Sequence, residues 1–267
     1  MAGTADNARP LAGVRVLVTR PAHQAEGLCR LLESAGATAV RFPMLEIAPP
    51  PDSGALERII DRLEEFDMAI FVSPNAVSRA MTLIQSRRGA LPPSLRVACV
   101  GDGSASTLVL HGVHDVLVPG ARANSEGLLA LPALQHVTGH RIVIFRGEGG
   151  RQLIAETLAA RGAQVEHALC YRRIRPDIDT TALTQAVQQT IDVVTVTSAE
   201  ALHNLYDMLD ASGREALRHM PIVTVSERLQ QAGRHLGLRG PLPIAHSTAD
   251  ASIVTALETW RGSQKAL

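Results

Sequence analysis

Several short apolar runs in this chain end in a residue able to bond an anion. Arg20 closes the run from Arg15, Arg146 closes the run from Arg141, and Ser73, Ser198 and Ser226 close three more. Gly101 to Ser104 follows another, Val97–Val100. Where such a run is a strand that leads into a helix, free backbone N–H groups and the positive helix end gather at that point. Phosphate or carboxylate is the chemistry those groups suit. For any one of these serines, capping its own helix is the plainer role. Their recurrence as a set is what points to a ligand.

Other chemistries fare worse. Gly101-Asp-Gly-Ser-Ala-Ser106 is a partial dinucleotide fingerprint, but no acidic residue closes the next run, Val116–Val118, where a ribose partner belongs. Arg146-Gly-Glu-Gly-Gly-Arg151 resembles a phosphate loop without the Gly-Lys-Ser/Thr ending, and reads as a cationic loop for an anion. No nucleophile elbow, His-Glu-x-x-His pair or Cys–His signature is present, so neither covalent nor metal catalysis has visible apparatus. His111 and His114 are three apart with no further ligand nearby and read as a surface pair. Tyr171, one of two tyrosines, follows the run Val165–Cys170 and precedes Arg172 and Arg173. On its own it reads as a tyrosine at a strand edge with its hydroxyl in water.

The elements that must position these residues come in two copies. Arg20 and Arg146 are 126 residues apart, as are Gly36 and Gly162, which end the following helices and suit the left-handed C′ position. Asp67–Ser73 matches Asp192–Ser198, and Val97–Val100 matches Ile222–Val225, at an offset of 125. Gly112 and Gly237 close the next helices at that offset. Strands alternating with helices predict parallel sheets covered on both faces. Proline clusters at 49–51, 92–93 and 241–243 separate elements, and residues 262–267 read as a polar tail.

Composition narrows the classes. Hydrophobic residues make up 46% of 267 and aromatics 3%, which predicts packed aliphatic cores. Lys plus Arg equals Asp plus Glu at 26 each, so the basic footprint of a nucleic-acid binder is missing. No apolar run reaches membrane-spanning length, and Met1–Gly13 reads as a lead-in, not a signal peptide. Three unclustered cysteines, expected in one helix and two strands, predict a reducing cytoplasm with no disulfide framework and no zinc site.

Taken in order, the motifs resemble uroporphyrinogen-III synthase. They are Val18–Pro21 with Gln24, Phe71–Asn75, Val100-Gly101, Arg146–Arg151, Leu158–Gly162, Tyr171–Arg173, Thr197-Ser198 and Val225–Arg228. Each is short; their order and spacing from Val14 to Trp260 carry the likeness. The resemblance implies two flavodoxin-like parallel α/β domains joined by a two-stranded linker, with the substrate in a cleft between them. The repeats then exchange parts: residues 1–43 pack with 175–267, residues 44–174 form the other domain, and the linker strands lie near 44–50 and 169–175. The implied reaction closes hydroxymethylbilane, a linear tetrapyrrole carboxylate, with inversion of ring D and loss of water. It implies no cofactor, no metal and a monomer, with neither nucleic acid nor membrane as partner. Tyr171 is then the residue that assists loss of the hydroxyl, since a phenol carries its proton at neutral pH. Ser73, Ser104, Ser198 and Ser226 become hydroxyls lining the substrate site, with Arg20, Asn75, Gly101, Arg146 and Gly147 completing the binding set. A non-enzymatic two-domain binder of an anionic small molecule would share every feature except a use for Tyr171.

Overall fold

The computed structural model describes residues 9–120 and 122–265. Most of the expected lead-in and the last two residues of the expected tail lie outside these. The chain begins with β1 (Arg15–Val18), α1 (Ala22–Ser34), β2 (Thr38–Arg41) and β3 (Glu46–Ala48). It continues through α2 (Ser53–Asp61), β4 (Met68–Phe71), α3 (Pro74–Arg88), β5 (Arg96–Cys99), α4 (Asp102–Leu110) and β6 (Val116–Leu117). Next come α5 (Ser125–Leu129), β7 (Arg141–Gly147), α6 (Leu153–Ala160) and the long β8 (Gln164–Ile174). Last are α7 (Thr180–Gln189), β9 (Val193–Thr195), α8 (Ala199–Met208), α9 (Ala211–His219), β10 (Ile222–Val223), α10 (Glu227–His235) and α11 (Asp250–Lys265). Helix α11 continues through residues 262–265, where a polar tail was expected.

By its contacts the chain divides into two units. One runs up to Glu46 and resumes at Ile174; the other is Ile47–Arg173. In the first unit the sheet order is β10-β9-β1-β2; in the second it is β3-β8-β7-β4-β5-β6. The core of each is the same pattern, with β2-β1-β9-β10 corresponding to β8-β7-β4-β5. Each central pair therefore joins strands from different copies: β1 runs parallel to β9, and β7 parallel to β4.

Alternation along the central strands explains why both faces are covered. Met68 and Ile70 of β4 join Ile142 and Ile144 of β7 in one core, while Ala69 and Phe71 join Val143 and Phe145 in another. Val16 and Val18 of β1 likewise face away from Leu17. The cores are mostly aliphatic, but two of the four phenylalanines, Phe71 and Phe145, stack across the β4–β7 pair at 4.7 Å. Gly36, Gly112, Gly162 and Gly237 all have φ between 83° and 91°, the left-handed conformation expected at helix ends. The fifth strand position of the first unit is reduced to one bridge, Thr224 to Ile244. Pro241 and Pro243 on that segment accept bonds from Ile222 and Thr224 but have no N–H to return.

Candidate functional site

The second unit has a small pocket, about 200 Å³, at the carboxyl end of β7. Its wall includes Ser73, Arg146, Gly147 and Tyr171, four of the ten residues singled out from sequence. Strand geometry brings them together: Phe71 pairs with Phe145, so Ser73, two residues past the end of β4, and Gly147, the last residue of β7, come out at one edge.

Tyr171 lies inside β8, and it is 6% exposed. The reason is a register shift. Arg146 pairs with Leu169, but Gly147 pairs with Tyr171, so β8 carries one extra residue at this point. Ala168 is buried, Leu169 exposed and Cys170 buried, as alternation requires; the bulge then turns Tyr171 inward as well. The Tyr171 hydroxyl lies 3.1 Å from Ser73 Oγ. Ser73 Oγ in turn accepts from the Ala76 N–H at 3.2 Å, which fixes it as the N-cap of α3. Gly147 is needed here for space: a Cβ on it would lie 2.5 Å from the Tyr171 ring.

Arg146 is 7% exposed. Its Nε donates to the Gly147 carbonyl at 3.3 Å, Nη1 to Gln152 Oε1 at 3.0 Å, and Nη2 to the Gly149 carbonyl. Burial pushes this guanidinium below its ordinary pKa, and the neighbouring Tyr171 partly opposes that. Arg173 also borders the pocket, whereas Arg172 is exposed and does not.

The remaining sequence candidates lie elsewhere. Asn75 is in the first turn of α3, Gly101 precedes α4, and Ser104 is buried within α4; none borders this pocket. In the other unit Ser198 caps α8 through Ala201 N–H at 3.1 Å, and Ser226 caps α10 through Leu229 N–H at 3.2 Å. Arg20 is bound by the Asp250 carboxylate and the Thr248 carbonyl, so its charge is already compensated. Gln152 was not visible as a functional residue in the sequence, because it sits where a helix start would ordinarily need only a cap. Among the described residues no group of three His, Cys, Asp or Glu gathers where a metal ion could be held.

Fold and site define a two-unit parallel α/β protein with exchanged repeats and a buried tyrosine–arginine pocket at a strand end. The family model described as "Uroporphyrinogen-III synthase HemD" matches residues 26–253. The uroporphyrinogen-III synthase of Escherichia coli (strain K12) is 34% identical over 247 residues, 91% of this chain and 99% of that one. That of Synechococcus elongatus is 30% identical over 75% of this chain and 76% of its own. A solved mutant synthase from Thermus thermophilus superposes with a TM-score of 0.63 over 95% of this chain and 100% of that one. At 20% identity this likeness concerns the fold. The chain belongs to the uroporphyrinogen-III synthase family. It is accordingly a lyase of tetrapyrrole biosynthesis.

Proposed function

We propose that this chain closes hydroxymethylbilane to uroporphyrinogen III with Tyr171 as the proton donor to the departing hydroxyl. The observation that carries this role is the buried Tyr171 hydroxyl, held 3.1 Å from Ser73 in a pocket that also contains the Arg146 cation. The proton passes from the phenol to the hydroxymethyl oxygen, which leaves as water, and the pyrrole electrons form an azafulvene. The substituted α-carbon of ring D attacks that carbon to give a spiro intermediate, which fragments and recloses through the free α-carbon with the ring turned over; the proton that carbon loses restores the phenol. The substrate supplies both electrophile and nucleophile, so the protein needs only a proton donor and a mould.

At about 200 Å³ the pocket is smaller than the roughly 300–1,000 Å³ that usually encloses a drug-sized ligand. It suits one end of a tetrapyrrole, the end that reacts. Free hydroxymethylbilane closes without inversion, so the task is discrimination. A thousandfold preference for the inverted product requires only about 4 kcal/mol of differential transition-state stabilisation. Hydrogen bonds that orient the ring and its carboxylates are sufficient for that. Arg20, Asn75, Gly101, Ser104, Ser198 and Ser226 belong to this reading as further substrate contacts. So does a monomeric enzyme without nucleic-acid or membrane partner, in a reducing cytoplasm that suits three free buried cysteines.

The test is to supply hydroxymethylbilane and identify the uroporphyrinogen isomer by chromatography. Isomer III is expected from the wild type. Tyr171→Phe is expected to slow its formation about a hundredfold, the lower end of what a positioned proton donor contributes, without abolishing it. A wild-type protein yielding only isomer I would overturn the assignment. A Tyr171→Phe protein with the wild-type rate would overturn the role of the phenol.

A further inference from the structure

Arg146 is satisfied in an uncommon way for a buried cation. Each of its three hydrogen bonds goes to a neutral acceptor: two backbone carbonyls and the side-chain amide of Gln152. Among the described residues no carboxylate forms an ion pair with it, and Glu148, which borders the same pocket, makes no bond to it. Arg151, the next cation along the loop, is paired with Glu126 at 2.9 Å. A guanidinium has five N–H donors. Three are used, which leaves one on Nη1 and one on Nη2 uncommitted, donors from which a carboxylate can accept.

Gln152 makes this state possible. It occupies the N-cap position of α6, where a short polar side chain would normally bond the helix's first turn. Ser73, Ser198 and Ser226 do so for α3, α8 and α10. Gln152 makes no capping bond, and its amide oxygen accepts from Arg146 Nη1 at 3.0 Å instead. A glutamate at this position would have nearly the same shape and would bond the same nitrogen. It would also neutralise the cation, which glutamine does not.

We propose that Gln152 is a positioning residue that fixes Arg146 through a neutral hydrogen bond and so reserves its charge for a carboxylate of the substrate. The proposal rests on this pocket being the substrate site. It gives the pocket a specificity rule: the reacting end of the tetrapyrrole is oriented by an acetate or propionate on Arg146, beside the Tyr171 hydroxyl.

The experiment compares wild type, Gln152→Glu and Gln152→Met in steady-state kinetics with hydroxymethylbilane and in thermal unfolding with and without uroporphyrin III, a stable octacarboxylate probe. Gln152→Glu is expected to raise KM about tenfold, which corresponds to about 1.4 kcal/mol, while changing kcat much less. The same variant should melt higher than wild type in buffer and lose most of the uroporphyrin-induced shift. Gln152→Met, which removes the bond but not the charge, should melt lower and raise KM less than Gln152→Glu. A Gln152→Glu protein with wild-type KM and wild-type uroporphyrin shift would overturn the inference while leaving the synthase assignment standing. A wild type unable to make isomer III would instead remove the reading on which the inference rests.

Discussion

Replacing Gly147 by alanine adds one methyl group and should disable the site through a side chain that remains in place. The new Cβ would lie 2.5 Å from Cζ, 2.6 Å from Cε2 and 2.9 Å from Oη of Tyr171. Ordinary contact begins at 3.4 Å, so the ring must retreat by about 3.4 − 2.5 = 0.9 Å. Neither backbone can yield freely, because Gly147 is paired with Tyr171 and Glu148 N–H bonds the Tyr171 carbonyl at 2.8 Å. A shift of that size exceeds the tolerance of the 3.1 Å bond to Ser73. Overpacking of this kind costs about 1–3 kcal/mol, so the protein stays folded. Misplacing a reacting group by about 1 Å costs on the order of a hundredfold in rate. The assay is the rate of isomer III formation for Gly147→Ala, Tyr171→Phe and the double variant, with thermal unfolding as the folding control. If the methyl acts through the phenol, adding it to Tyr171→Phe should cost far less than adding it to wild type. A Gly147→Ala enzyme within threefold of the wild-type rate would refute the reasoning. So would a double variant that loses the full product of both effects.

Ser73→Ala removes the α3 cap and the partner of Tyr171 together; it should lower stability by about 1 kcal/mol and lower kcat more than it changes KM. Ser73→Thr, which keeps the hydroxyl, should restore most of both in the same melting and rate measurements. Burial raises the Asp192 carboxyl, but the Arg15 side chain and backbone N–H outweigh it and hold the group below its ordinary value. Its contribution is therefore present above the unfolded pKa of about 3.9 and lost as pH falls below it. Asp192→Asn should melt lower at pH 7, by about 1 kcal/mol for this partly exposed group, and show a shallower acid limb in a pH series of melts. Burial pushes the Cys170 thiol up to about 12, with the Arg146 backbone N–H pulling it partly back. The folded state thus favours the protonated thiol, and that contribution fades as pH rises from the unfolded value of about 8.5 towards 12. Iodoacetamide at pH 8 should leave Cys170 unmodified in the native protein and label it after denaturation, as read by peptide mass spectrometry.

The scaffold of this protein is far more legible in its sequence than its site is. Helix-ending glycines 125 and 126 residues apart impose a backbone conformation that other residues resist, so Gly36, Gly112, Gly162 and Gly237 mark element ends directly. The continuous apolar run Met68–Phe71, bounded by Asp67 and Ser73, does the same for a strand buried on both faces. Tyr171 shows where this fails. Period-two reading of β8 places it opposite Cys170, in water, and only the extra residue in the β7–β8 register buries both. A parallel bulge depends on what the neighbouring strand does, and nothing local in Leu169–Arg172 encodes it. Gln152 fails for a related reason: its partner Arg146 is close in sequence, but the bond matters only because the loop between them buries the cation.

The exchange of repeats has a physical signature that the offsets alone did not disclose. Asp67 accepts the backbone N–H of Arg141 at 2.8 Å, and Asp192 accepts that of Arg15 at 2.8 Å. These four residues occupy equivalent places in the two copies, yet each bond joins an aspartate of one copy to the first strand of the other. The β-ladders agree, since β1 completes its sheet through β9 and β7 through β4. A repeat taken alone would leave its central strand without the neighbour that buries it and its aspartate without the N–H it accepts. The physical unit is therefore the crossed pair and not the duplicated segment. It is also why Tyr171 lies on β8, the strand that carries the chain out of one unit, while its partner Ser73 and its spacer Gly147 come from different copies.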